Sequence, residues 1–353
     1  MNIDPSLSDP TPAASYAAPA LPPPMPDSRK RKRKRVHWIV WVILCVSLLI
    51  NFVTCSEFGS DFNVYGLDEF PAVSETLTWG SAHADTQIAV LKLEGVIMRE
   101  SSSSLFGDTV DPVTKLLNEI RAVTVDTDYK AILLEVNSPG GGVTASDEIY
   151  QALMDFKASD PDRLILVHIR DMAASGGYYV AMAGDLLVGQ PTSVVGSVGV
   201  IISAVNMHQL GTKIGLEDVS LTSSSNKALL NSLSPVDPEH QEILQKVVDQ
   251  MYLRFRGLVL ENRPFTSEYA DEHHLLDGRI FDQQTALSFG MVDETGYLDH
   301  SRERLMSMLG VDEAAFYEIN FSTGGWGGLF NVKTPEILAP IQPNSQFQYV
   351  WKP

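Results

Sequence analysis

AILLEVNSPGGG, residues 131–142, is an apolar run that stops on a glycine-rich corner. Its Ile, Leu and Val residues form a continuous block, the pattern of a strand buried on both faces. Helical spacing follows from Ala145 to Phe156. Downstream, RLILVHI (163–169) reads as the next strand and MAASGGYY (172–179) as a second glycine-rich corner, opening a helix over Gly176–Met182. LLVGQP and VVGSVGVII supply short strands and turns. Upstream, IAVLKLEGVI (88–97) alternates as a strand, and Asp111–Val123 has helical spacing. A long amphipathic helix is predicted over Asp237–Glu261. Strands alternating with helices at these intervals specify an α/β fold built from βαβ units.

The ends differ from this body. Residues 1–35 combine a Pro-, Ala- and Ser-rich stretch with seven consecutive basic residues, Arg29 to Arg35, and are expected to be a disordered cytoplasmic tail. Val36–Thr54 carries no formal charge, and 19 residues at a helical rise span roughly 28 Å, enough for a bilayer core. Trp38 and Trp41 sit at its basic end, where interfacial aromatics belong. No A-x-A site follows, so the reading is a retained transmembrane helix over 36–54 rather than a cleaved leader. The basic flank puts the N-terminus in the cytoplasm and the body on the extracytoplasmic side of the cell (inner) membrane. Residues 55–85 are expected to be a linker, 86–310 the globular domain, and 311–353 a partly irregular C-terminal extension.

The chain has 26 basic and 44 acidic residues. From Val36 onward 19 basic residues face 41 acidic ones, a formal charge of −22, which excludes a basic nucleic-acid footprint. Cys45 and Cys55 lie in or beside the apolar segment, so the body has no disulfide and no cysteine metal site. The pair His273–His274 lacks a third ligand at metal spacing, and no metal or organic cofactor is expected.

The chemistry concentrates at the two corners, about 35 residues apart. MAASGGYY puts the hydroxyl of Ser175 at a helix start, followed by two residues without side chains. That suits a nucleophile beside an oxyanion site, although a serine at a helix start is also an ordinary N-cap. NSPGGG offers backbone amides that can approach a bound group closely. Neither corner is G-x-S-x-G or G-x-G-x-x-G, so neither an α/β-hydrolase nor a dinucleotide site follows. Tyr178 and Tyr179 read as packing residues, and Asp271, Asp277 and Asp282 as caps and turns around DGRIF.

The segments NSPGGGVTASDEIYQAL, DMAASGGYYVAMAGD, PTSVVGSVGVI and DGRIFDQQTALSFGMVDETG resemble the signal peptide peptidase A family in order and spacing, over roughly residues 88–300. The resemblance implies a crotonase/Clp-protease-like fold, a ββα superhelix, in the shorter single-copy form. It implies a membrane-anchored serine endopeptidase with Ser175 as nucleophile and Lys227, 52 residues later, as general base. It further implies that Ser197 orients the lysine and that the backbone N–H groups of Gly141 and Gly176 form the oxyanion hole. A Clp-type histidine would fall about 25 residues after the nucleophile, where Val200 stands. Ala228 replaces the family's usual Asp after the base. A lysine base must be neutral, far from its ordinary value of about 10.4, which requires burial. The expected substrates are hydrophobic, signal-peptide-like segments, and the expected assembly is a ring or dome of identical subunits sharing a groove. The rival readings are an acyl-CoA crotonase-type enzyme and a catalytically inert membrane scaffold.

Overall fold

The computed structural model describes residues 73–99, 102–104, 107–109, 111–321 and 348–350, together with Trp41, Val46 and Ser47. The chain divides into two units at Glu69/Phe70, and the fold below belongs to the second. Apart from those three isolated residues, the tail and the helix expected over 36–54 lie outside the described residues. Among the described residues, no helix is long and apolar enough to cross a membrane.

In chain order, β1 (Val73–Gly80) and β2 (Gln87–Glu94) precede a short pair, β3 (Ser102–Ser104) and β4 (Gly107–Thr109). Helix α1 (Pro112–Val125) leads to β5 (Tyr129–Ser138), β6 (Gly140–Gly142) and α2 (Val143–Ser159). Then come β7 (Leu164–Ala174), α3 (Gly176–Ala181), β8 (Leu186–Gly189) and β9 (Val194–Gly196). A looser region holds α4 (His208–Ile214) and a 3-10 turn at Ser225–Ala228, followed by α5 (Pro238–Asn262) and α6 (Ser267–Glu272). The chain continues through β10 (Ile280–Asp282), α7 (Gln283–Ser288), β11 (Glu294–Thr295), α8 (Leu298–Leu309), β12 (Ala315–Phe321) and β13 (Gln348–Val350).

The main sheet runs β1-β12-β2-β5-β7-β8-β11, with β9 pairing the end of β7 and β10 pairing β9. From β12 to β11 the pairings are parallel, while β1 joins antiparallel at the edge. Side chains alternate between the two faces. Leu91, Leu134, Val136, Val167 and Ile169 join one core with Ile120 of α1 and Ile149 and Leu153 of α2. Ile88, Val90, Leu133, Leu166 and Phe316 form the other core against Leu305 of α8. Burial on both sides explains why β5 reads as an unbroken apolar run.

Helix starts follow local chemistry. Asp111 and Asp237 each precede a proline and accept a hydrogen bond from a first-turn amide. Asp282 caps α7 in the same way, Asp277 holds the Arg279 amide and guanidinium, and Asp271 pairs with Arg256. Strands β1, β12 and β13 fall in segments for which the sequence predicted no regular element, β13 within the same extension as β12. Part of the expected linker is β1, and part of the expected irregular extension is β12, inserted between β1 and β2.

Candidate active site

Ser175 stands at the bend between β7 and α3 with φ 53° and ψ −117°. A non-glycine residue in this region carries strain of about 1–3 kcal/mol and persists only where its surroundings hold it. Both backbone groups are held: Ser175 N donates to Gly196 O at 2.8 Å, and Ser175 O accepts from Tyr179 N at 2.9 Å. The residue is 1% exposed, yet its side chain makes no capping hydrogen bond. The hydroxyl is therefore not an N-cap.

The glycine corner meets this bend. Ile97 N donates to Gly140 O at 2.9 Å, and Gly142 N donates to Ile97 O at 2.7 Å. A Cβ on Gly141 would run into the Ile97 carbonyl, so no other residue fits there. A Cβ on Gly176 would overlap Ser146 Oγ and stand 3.1 Å from Gly141 N. The two corners thus touch backbone to backbone. As the first residue of α3, Gly176 has an amide without an intrahelical acceptor. Ser197 joins the cluster through β9, whose Gly196 pairs with Ala174 of β7. It too has a positive φ, 54°, and is buried.

Along β6 lies β13, antiparallel, with Tyr349 opposite Gly141 and Val350 opposite Gly140. This strand also contacts α3. The glycine edge next to Ser175 therefore accepts an extended chain.

Lys227 makes no hydrogen bond or ion pair to this cluster. It sits in the 3-10 turn, exposed, and among the described residues its ammonium has no hydrogen-bond or ion-pair partner. The surrounding segment is unusually apolar for solvent: Val205 is 74% exposed, Val219 84% and Leu221 99%.

Asp147 and Arg254, which the sequence did not mark, hold the corner in place together with Tyr179, which it read only as packing. Arg254 of α5 donates to Asp147 of α2 (Nη2 to Oδ1, 2.6 Å) and to the Tyr179 hydroxyl (3.1 Å), which itself donates to Asp147. The hydrogen bond to Asp147 raises Arg254 further above its ordinary range. This network ties the helix after the glycine corner to the helix after Ser175. Asp147 and Arg254 are 107 residues apart, so no local pattern could pair them.

His168 lies in β7 on the face covered by α8, fully buried. Its Nδ1 meets Ser301 Oγ at 2.8 Å and its Nε2 meets Gln190 Nε2 at 3.2 Å. With the Gln190 amide donating to Nε2, the ring proton belongs on Nδ1 and points to Ser301. Burial, then Arg170 and Arg302, pushes the imidazole down to about 4. Because the folded value lies below the unfolded value near 6.5, the unfolded chain takes up this proton first. The contribution is constant above about pH 6.5, and about 3 kcal/mol of stability is lost as the pH falls towards 4. Urea unfolding at pH 7.5 and 4.5 should show this, and His168→Gln should remove that part of the pH dependence. An equal dependence in the two proteins would mean that His168 is not buried as a neutral ring.

Family comparisons agree with this architecture. A sequence model described as peptidase family S49 matches residues 157–312, and one described as Clp protease matches residues 91–193. The second match covers the α/β core from β2 through β8. A putative signal peptide peptidase SppA of Enterococcus faecium is 30% identical over 303 residues, covering 82% of this chain and 86% of that protein. A Brucella melitensis protein named Na(+)/H(+) antiporter NhaA is 32% identical over 215 residues, covering 60% of this chain and 28% of that longer protein. A putative protease of Methanocaldococcus jannaschii is 28% identical over 217 residues, covering 60% of this chain and 68% of that protein.

Proposed function

The chain belongs to peptidase family S49, the signal peptide peptidase A family, and is a serine peptidase; on that premise we propose that Ser175 is its nucleophile and Lys227 its general base. Ser175 Oγ attacks the carbonyl carbon of the scissile bond while a neutral Lys227 takes its proton. The oxyanion is held by the N–H groups of Gly141 and Gly176, the second at the positive end of α3. Lys227 returns the proton to the leaving amine, then activates water to release the acyl group. Ser197 orients the lysine.

The observation that carries this reading is the strained Ser175, its hydroxyl uncommitted to a cap, beside two glycine corners in backbone contact. The pairing of β13 along Gly140–Gly142 supports an extended peptide as substrate, bound by strand addition. The apolar 36–54 segment and its basic flank support a single-pass anchor with the N-terminus in the cytoplasm. Hydrophobic, signal-peptide-like segments released near the inner membrane then become the natural substrates.

Exposed Lys227 and the bare apolar row around it support a homo-oligomeric ring or dome. A second copy covering that row would bring one subunit's Lys227 to its neighbour's Ser175. It would also strip water from the ammonium, which a lysine base requires. No metal or cofactor enters any step.

The direct test is acylation. A fluorophosphonate or sulfonyl fluoride probe should label detergent-solubilised full-length protein at Ser175, and Ser175→Ala should abolish labelling. Absence of labelling in folded, assembled protein would sink the assignment of the nucleophile.

A further inference from the structure

Ser138 closes β5, one residue before the proline that opens the glycine corner. It is fully buried, and its hydroxyl works as donor and acceptor at once. Oγ donates to Gly95 O at 2.6 Å and accepts from Gly140 N at 3.1 Å. Pro139 has no N–H, so Gly140 N is the first donor of the corner, and this side chain meets it.

Both bonds act on one peptide group. Gly95 lies two residues before Ile97, whose N–H donates to Gly140 O at 2.9 Å. Gly140 C=O and Gly141 N–H belong to the same planar trans unit and point in opposite directions. With the carbonyl turned to Ile97, the Gly141 N–H is turned to the other edge of β6, along which β13 runs. The Ser138 hydroxyl therefore holds both partners of the contact that aims this N–H: Gly140 directly, and Ile97 through Gly95.

Ser138 also bears on the second amide. A Cβ on Gly177 would stand 2.7 Å from Ser138 O and 3.2 Å from Ser138 Cβ, so Ser138 packs directly against the second residue of α3. The residue before it, Gly176, carries the other N–H. One buried side chain thus braces the elements that bear both amides, while being closed to solvent itself.

We propose that Ser138 is a positioning residue of the peptidase. Its hydroxyl sets the direction of the Gly141 N–H and the gap between it and the Gly176 N–H, and with them the strength of the oxyanion hole. This rests on the reading that these two amides hold the oxyanion. A tetrahedral oxyanion depends on aimed donors more than a ground-state carbonyl does, so a misaimed amide is felt in the chemical step rather than in substrate binding.

The test uses full-length protein in detergent, with rates expressed per site acylated by a sulfonyl fluoride, so that misfolded protein is not counted. Ser138→Ala removes the partner of Gly95 O and Gly140 N. It should lower kcat by about 10- to 100-fold, with KM within about twofold and the pH profile of kcat/KM unmoved. A hydrophobic peptide aldehyde, which forms a tetrahedral adduct with a serine, and the matching alcohol, which forms none, give a second readout. The wild type should bind the aldehyde at least about 100-fold more tightly than the alcohol. Ser138→Ala should lose as large a factor of that preference as it loses in kcat. Should Ser138→Ala fail to fold, Ser138→Cys, with a larger and more weakly bonding sulfur, should shift both readouts the same way by a smaller factor. The proposal is overturned if kcat per site stays at the wild-type level, if KM rises in step with the fall in kcat, or if the variant keeps the full aldehyde preference. A wild type without that preference would overturn the oxyanion reading itself, and this proposal with it.

Discussion

Ser175→Ala should reduce the turnover of a fluorogenic hydrophobic peptide by about 10³-fold or more, without a measurable change in thermal unfolding. The two halves of this expectation come from different observations. The hydroxyl makes no capping hydrogen bond, so deleting it removes no structural contact of that kind. The strained backbone is held through Gly196 O and Tyr179 N, both independent of the side chain. Alanine inherits that strain unchanged and introduces no new atom. What disappears is the proposed nucleophile; the Gly141 and Gly176 amides proposed to hold the oxyanion remain. A variant that folded normally and retained a tenth of wild-type turnover would show that the nucleophile lies elsewhere.

Lys227→Ala should lower turnover by a comparable factor, and the more telling result is expected on mixing. If each subunit's Ser175 meets its neighbour's Lys227, co-assembly of equal amounts of Ser175→Ala and Lys227→Ala subunits creates some intact sites. Random assembly in a closed ring with heterologous interfaces would return about a quarter of wild-type turnover. The two variants share no intact pair when each assembles alone. The physical basis is the exposure of the lysine in a segment with Val219 and Leu221 almost bare, a surface that water does not favour. Replacing Leu221 with Asp should then weaken assembly, measured by sedimentation, and turnover together. Mixed subunits with no recovered turnover would show that both groups of the dyad come from one chain.

The parts of this molecule legible in the sequence are those whose environment is uniform. β5 and β7 are buried on both faces, so their apolar runs announced them, and glycines marked their ends. The helices α1, α2 and α5 showed their spacing for the opposite reason: each sets an apolar face against the body and a polar face towards water. β1 did not, because most of its residues are exposed and its sequence, VSETLTWG, resembles a linker. β12 was hidden differently: its place between β1 and β2 is decided by pairing across more than 200 residues, not by local preference. At the site, the glycine corners and Ser175 were readable because unusual backbone geometry demands particular residues. The contact of Gly176 with Gly141 was not readable as a distance, and the Asp147–Tyr179–Arg254 network had no local signal at all.

The strand β13 has a kinetic consequence. It occupies the Gly140–Gly142 edge from within the same polypeptide; on the strand-addition reading proposed above, an incoming peptide therefore competes with a rival that dilution cannot remove. Such a tethered rival acts at a fixed local concentration set by chain connectivity. The enzyme then responds weakly to scarce or poorly pairing peptides and more fully once a segment out-competes its own tail. Access to the catalytic edge becomes a threshold on substrate affinity, carried by three residues close to the end of the chain.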